Sequence, residues 1–345
     1  MTVDLLYRMV SIASPSRHEA ELAEFLKGQC AALGLRAEID EVGNVLAESG
    51  TGNGPTILML SHLDTVDDPI PARLLDDRIC GRGAVDAKGP LAAMLMAAAA
   101  RPRFAGRLVV CGAVEEEVPG SLGATHLRQT FTQPDAVLVG APGGWSNVVL
   151  GYKGILELSY HVTRPATHST NPMEKATEAA AAFWADAVAV LGPQASHTSF
   201  ASPAVTLLHM AGDMTRATLD FSYRLPPGFD SAALVEQLRR SARGGQVLVR
   251  GGFAAVQRGR RDPVVRALSA GIRRAGGEPR YKLKTATSDM NTVGEVWDMP
   301  MATYGPGDSR LDHADDEHIM IDEYLRGIAV LTTALDELET LPGPR

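Results

Sequence analysis

A two-part α/β protein is predicted from three features of the chain. Short apolar runs of strand length alternate with helix-length segments. Histidines and acidic residues fall just past the ends of several of those runs, where open α/β sheets place their sites. The pattern changes around Gly151-Tyr152-Lys153-Gly154 and resumes its first form near Asp262. Taken in order, Val3 to Leu35 reads as an amphipathic helix, an interruption at Ser14 to Ser16, and a second helix. Ser16 and Glu19 are spaced as an N-terminal cap for that second helix. Val42 to Ala47 and Thr56 to Ser61 are strand-length runs bounded by Gly and Asn. Gly89 to Ala100 is an alanine-rich helix, and Arg107 to Cys111 and Ala136 to Val139 are two more strands.

The middle of the chain, residues 154–261, has a different rhythm. A strand from Ile155 to Val162, a helix from Glu174 to Leu191, a strand from Ala217 to Tyr223, a helix from Ala232 to Arg240 and a strand from Val247 to Arg250 follow one another. This β-α-β-α-β order over roughly 110 residues predicts a small α+β insert. The first α/β part then comprises residues 1–153 and 262–345, with a helix to Ala275 and a last helix from Ile321 to Leu338.

Composition excludes several classes. A chain of 345 residues exceeds one typical small domain. With 45% hydrophobic and 21% charged residues it has the make-up of an ordinary globular protein. No apolar run reaches the ~18 residues of a membrane span, and Met1-Thr2-Val3-Asp4 opens no secretory signal. Cys30, Cys80 and Cys111 are odd in number and scattered, which is not a disulfide framework. A cytoplasmic location is expected, with neither nucleic acid nor a membrane as partner. The net charge of −8 hides an asymmetry: from Arg239 to Lys284 there are thirteen Lys/Arg against Asp262 and Glu278, leaving −19 on the rest. A basic zone on an acidic protein suits an anionic partner; the plainer alternative is a solvated arginine-rich face.

The chemistry is concentrated in a few motifs. Ser61-His62-Leu63-Asp64 puts a carboxylate two residues beyond a histidine, on one face of extended backbone, placed to hold the imidazole from behind. Asp86 lies in the glycine-flanked loop Gly83 to Gly89, and a carboxylate there can bridge two cations ~3.5–4 Å apart. In Glu115-Glu116-Glu117 adjacent side chains point opposite ways, so one can bind metal while its neighbour faces substrate as a base. Gly305-Pro306-Gly307 leads to Leu311-Asp312-His313, and its glycines let backbone approach a ligand closely. Nitrogen and oxygen donors of this mix suit Zn²⁺, with Co²⁺ or Mn²⁺ as alternatives.

With these motifs the chain resembles the co-catalytic zinc amidohydrolases of peptidase family M20, which include acetylornithine deacetylase, succinyl-diaminopimelate desuccinylase and carboxypeptidase G. The resemblance runs from Leu5 to Leu338. Within that family the chain is most similar to hydrolases that release lysine or ornithine from an amino-group carrier protein; Gly151 to Gly154, Thr287-Ser288-Asp289-Met290-Asn291, and Gly305 to His313 carry that likeness. The resemblance implies a phosphorylase/hydrolase-like catalytic domain with an inserted ferredoxin-like lid that dimerises. It implies two Zn²⁺ ions, with His62 on the first, Asp86 bridging, and Glu117 and His313 on the second. Glu116 would be the general base and Asp64 the residue that orients His62. His168, in Ala166-Thr167-His168-Ser169-Thr170, would stabilise the oxyanion from a partner subunit. Arg224 would pair with a substrate carboxylate, and Ser288, Asn291, Gly305 and Gly307 would line the substrate. The implied reaction is hydrolysis of the amide bond of an N-acylated amino acid, with an acidic carrier protein as partner and the basic zone as its docking face.

One position departs from that pattern. Family members carry Glu or Asp where Val139-Gly140-Ala141-Pro142 has Ala141, and Gly143 replaces a usual Ser or Thr. A methyl group cannot coordinate, so the first site would keep His62 and Asp86 alone. Three explanations fit: a substitution made to trap substrate, a natural enzyme working with one metal, or a non-catalytic relative that binds the carrier-linked substrate. A plain deacylase or dipeptidase of small substrates is a further alternative.

Overall fold

The computed structural model describes residues 2–342. It divides into two units: Met1–Gly151 with Arg258–Leu283 and Ser288–Arg345, and Tyr152–Gln257 with Lys284–Thr287.

The first unit is built on a mixed sheet whose strands run in the order Arg36–Ile39, Val45–Gly50, Arg107–Ala113, Thr56–His62, Ala136–Val139, Met301–Thr303, Asn147–Tyr152. Its central strands are parallel to one another. They are buried on both faces, as apolar runs such as Ile57-Leu58-Met59-Leu60 and Ala136-Val137-Leu138-Val139 require. Helix Lys88–Ala99 is buried nearly all round, so its alanines let it lie close to the sheet. The final helix, Ile321–Leu338, begins and ends where the hydrophobic periodicity places it. It shows Val330, Leu331, Ala334, Leu335 and Leu338 to the same core.

Four neighbouring parallel strands deliver the site. His62 ends its strand, Glu115 to Glu117 follow Arg107–Ala113, Ala141 follows Ala136–Val139, and Gly305 to Gly307 follow Met301–Thr303. All lie at carboxyl ends, where the chain leaves the ladder and side chains are free to converge.

The second unit is a four-stranded antiparallel sheet in the order Ala204–Gly212, Arg216–Leu225, Gly154–Thr163, Gln246–Phe253, with helices Ala176–Ala189 and Ser231–Arg240. Its element order is β-α-β-β-α-β, the ferredoxin-like arrangement. The sequence pattern lacks one strand of it, Ala204–Gly212. That strand is mostly exposed at the sheet edge, with Leu208 and Met210 on the surface, so no buried alternation marks it. Tyr160, Phe183, Phe221 and Tyr223 fill a separate core.

Candidate metal centre

Asp64 is the hub of the site. It is fully buried, and its two carboxylate oxygens accept hydrogen bonds from the backbone N–H groups of Glu116 and Glu117, both at 3.0 Å. Ser16 Oγ donates to the same carboxylate at 2.7 Å. The expected capping role of Ser16 is therefore corrected: its hydroxyl serves Asp64, and the second helix starts later, at Ala20. His62 Nδ1 lies 2.9 Å from the Asp64 carbonyl oxygen and 3.5 Å from its Oδ1. One buried carboxylate thus fixes both the imidazole and the two glutamates. Burial alone would raise the Asp64 pKa, yet it is held below the ordinary carboxylate value by His62, Glu117 N–H and Ser16.

Four donors converge beyond that hub. His62, Asp86 and Glu117 each offer a ligand atom within 4.8 Å of the others. His62 Nε2 is 3.2 Å from Asp86 Oδ1, and His313 Nε2 is 3.0 Å from Glu117 Oε1 and 3.5 Å from Asp86 Oδ2. Around a tetrahedral cation with ~2.0–2.1 Å bonds, donors sit about 3.3 Å apart, so these spacings fit metal binding. The charges fit as well. Asp64, Asp86, Glu116, Glu117 and Asp289 are five carboxylates beside two imidazoles, His62 and His313, an imbalance a divalent cation relieves. Burial opposes the proton on His62, but Asp64, Asp86 and the Glu116 charge overcome it and raise its pKa well above the usual value. The His313 pKa is pushed up to about 10 by Asp86 and Glu117. Carboxylates that hold a proton on two facing imidazoles are the ones that would hold a metal there instead.

The loops carrying these groups are braced from behind. Glu317 is buried, and its Oε1 accepts from the N–H groups of Val85 and Asp86 at 2.8 and 3.1 Å, while Oε2 pairs with Arg82 Nη1 at 2.9 Å. His313 is held at φ +58 and Glu115 at φ +56, left-handed backbone that non-glycine residues adopt at some cost. Glu115 turns away to Arg17 at 3.3 Å, leaving Glu116 and Glu117 for the site.

Glu116 is half-buried, and its pKa is raised well above the ordinary value by burial, with Asp289, Glu117 and Asp86 adding to that against His62. A proton-hungry carboxyl beside the donor set is what a general base requires. Asp289, also buried, is pushed up to about 7, chiefly by burial. Sequence reasoning misses it because an acid opening a short helix looks like a cap. The actual cap is its neighbour: Ser288 Oγ accepts from Met290 N–H, and Asn291 Oδ1 accepts from Ser288 N–H at 3.0 Å. Gly305 packs against backbone, since a Cβ there would meet Ala141 O at 2.6 Å, and Gly307 adopts φ +108.

Ala141 follows the strand that pairs with the His62 strand. Leu60 pairs with Val139 in the parallel ladder, and Gly140 N–H donates to Leu60 O at 2.6 Å. Val139 is the last residue paired in that ladder, and Ala141 lies two residues past it. Its methyl group offers no donor to a metal. Glu117 lies within ligand range of His62 and Asp86 as well as of His313, so these donors form one cluster.

Two further residues lie in the second unit. His168 is exposed, with Nδ1 2.8 Å from Thr170 Oγ1 and 3.3 Å from Thr170 N. Arg224 is half-buried at the end of its strand and donates from Nη1 to Thr287 Oγ1 at 2.8 Å. Burial lowers its pKa, and no carboxylate forms an ion pair with it among the described residues.

Similarity to known proteins decides the family. The model of peptidase family M20/M25/M40 matches residues 58–337. The chain belongs to that family. It is 37% identical to a LysW-lysine hydrolase of Deinococcus radiodurans, over 97% of this chain and 96% of that one. It is 35% identical to a protein of Thermococcus kodakarensis described as a putative LysW-lysine/LysW-ornithine hydrolase, over 98% and 92%. Among solved structures, an M20 metallo-carboxypeptidase of Sulfolobus solfataricus superposes with a TM-score of 0.81 at 21% identity, covering 99% of both chains. A dinuclear metal-binding M20 peptidase of Bacillus subtilis superposes at 0.73, with 13% identity over 99% and 98%. The protein is a metallo-amidohydrolase with the α/β fold of this family. Among the described residues no helix is long and apolar enough to cross a membrane.

Proposed function

We propose that this M20 enzyme hydrolyses the amide bond joining lysine or ornithine to an acidic amino-group carrier protein. The observation that carries this is near end-to-end similarity to hydrolases of LysW-bound amino acids, joined to a donor cluster that keeps its base. When bound, the metal, Zn²⁺ or alternatively Co²⁺ or Mn²⁺, lowers the pKa of water and polarises the scissile carbonyl. Glu116 takes the proton from the attacking water and returns it to the leaving amine. Asp64 keeps His62, Glu116 and Glu117 in register. His168, supplied by a second copy of the chain, donates to the developing oxyanion. Arg224 pairs with the amino acid's carboxylate, for which its half-buried guanidinium has no protein substitute. Ser288 and Asn291 shape the loop beneath the substrate, and Gly305 and Gly307 let backbone approach it. With alanine at position 141 in place of a carboxylate, one metal held by Asp86, Glu117 and His313 is enough for turnover.

The test is mass-spectrometric assay of lysine release from a lysine-loaded carrier protein by the metal-loaded chain. Release at a rate typical of enzymes supports the proposal; binding without release would make this a non-catalytic relative, and release only from small N-acyl amino acids would remove the carrier.

The enzyme acts as a homodimer through the second unit. Its edge strand Ala204–Gly212 leaves Leu208 and Met210 on the surface, and Met214 follows them, an edge natural proteins otherwise blunt with charge. Light scattering should report two chains per particle, and Leu208→Lys should shift it to monomer. A monomeric native chain rejects the idea.

A further inference from the structure

We propose that the carrier protein docks on a cationic cavity of the first unit formed by Arg260, Arg266, Arg273 and Tyr281; this rests on the carrier reading above. The cavity measures about 510 Å³ and is bounded by helix Pro263–Arg274, by the end of helix Ile321–Leu338 and by Thr340 and Leu341 just past it. Arg266 and Arg273 are seven residues apart on that helix, so they share one face, about 10.5 Å apart along the axis. The opposite face is anchored in the core by Val264, Val265, Leu268 and Ile272, which makes the arginine face rigid. Arg260 lies over the Tyr281 ring at 4.6 Å, and Tyr281 OH meets Ser269 Oγ at 3.1 Å.

The sequence's basic zone divides in the structure into spent and unspent charge. Arg239 pairs with Glu236, and Arg243 pairs with Asp186 and Glu174. Arg258 pairs with Asp298, and Arg274 with Asp336 and Glu337. Arg240, Arg250, Arg260, Arg261, Arg266, Arg273 and Arg280 enter no ion pair among the described residues, and of these Arg260, Arg266 and Arg273 line one cavity. Glu337, which also lines the cavity, is engaged by Arg274. Three guanidiniums without ion pairs, gathered in one cavity on a chain of net charge −8, make a local cationic site for an acidic partner.

Their spacing selects the class of ligand. Arg266 and Arg273 rise from backbone positions about two turns apart, so together they suit a ligand that carries several acidic groups. An acidic polypeptide, which offers a side chain every ~3.3 Å when extended, reaches both. Guanidiniums also meet carboxylates bidentately, so such contacts fix orientation.

The experiment uses Glu116→Gln enzyme loaded with metal, which holds substrate without turning it over, and measures binding of lysine-loaded carrier by calorimetry at low and high salt. Adding Arg266→Glu and Arg273→Glu should weaken binding by about tenfold or more at low salt and flatten the salt dependence. Adding Arg239→Glu and Arg243→Glu instead should leave the Kd within about twofold. Equal Kd values for all three proteins overturn the docking face and leave the carrier reading intact. Binding of inorganic phosphate that is lost with Arg266 and Arg273, while carrier binding is unchanged, assigns the cavity to a small anion and also overturns it. No carrier binding by an enzyme that hydrolyses a small N-acyl lysine rejects the carrier reading itself.

Discussion

Replacing Glu116 by Gln should lower kcat by about 10²–10⁴-fold, the usual contribution of a general base, with metal content unchanged. The backbone is the reason metal content should hold. Asp64 accepts the N–H groups of both Glu116 and Glu117, so the pair is fixed whatever the side chain at 116 does. Glu117 lies within ligand distance of Asp86 and His62, and His313 completes that set. Gln keeps the size of Glu and removes only the ability to take a proton. The fold should not suffer. Burial and the charges of Asp289, Glu117 and Asp86 raise the Glu116 pKa in the folded chain, so its ionised form weakens the metal-free protein at neutral pH. A group of this sign costs nothing below its unfolded pKa of 4.5 and opposes folding increasingly above it. The Tm of the metal-free variant should therefore equal or exceed that of the parent. A variant that keeps activity within tenfold would show that another group is the base; Asp289, buried nearby with its pKa pushed up to about 7, is the one to exchange next.

Much of this site is legible in the amino-acid sequence alone. His62, Asp86, Glu117 and His313 follow apolar runs or glycine-rich loops, and that is a topological signal: parallel strands end together, so residues past their ends meet. The insert is legible too, because Tyr160, Phe221 and Tyr223 alternate with polar residues on strands. What the sequence hides has local causes. The edge strand Ala204–Gly212 buries too little to show a period. Ser16 obeys the spacing of a cap yet spends its hydroxyl on Asp64, 48 residues away, and no local rule sees such a partner. Glu317 carries the Asp86 loop from 231 residues away and sits in sequence among exposed acids, where it reads as surface. The arginine-rich zone is visible as composition, but only ion-pair geometry separates Arg266 and Arg273 from Arg239 and Arg243.

Ala141→Glu should raise bound metal from about one to about two per chain and increase kcat/KM about tenfold or more. Register is the basis for this: continued two residues past the Leu60–Val139 pair, it would set position 141 beside His62, and Ala141 is half-buried. A carboxylate there would give a second metal a further donor beside His62 while Asp86 remains shared. Ala141→Gln tests the same volume with a weaker, neutral ligand, and it should bind no more metal than the parent. Elemental analysis after dialysis and the metal-dependent rise in Tm report occupancy independently of turnover. If Glu adds metal but no rate, Asp86, Glu117 and His313 already support full chemistry, and alanine belongs to a working one-metal enzyme. If Glu adds neither, position 141 does not face His62, and the ladder does not continue in register past Val139.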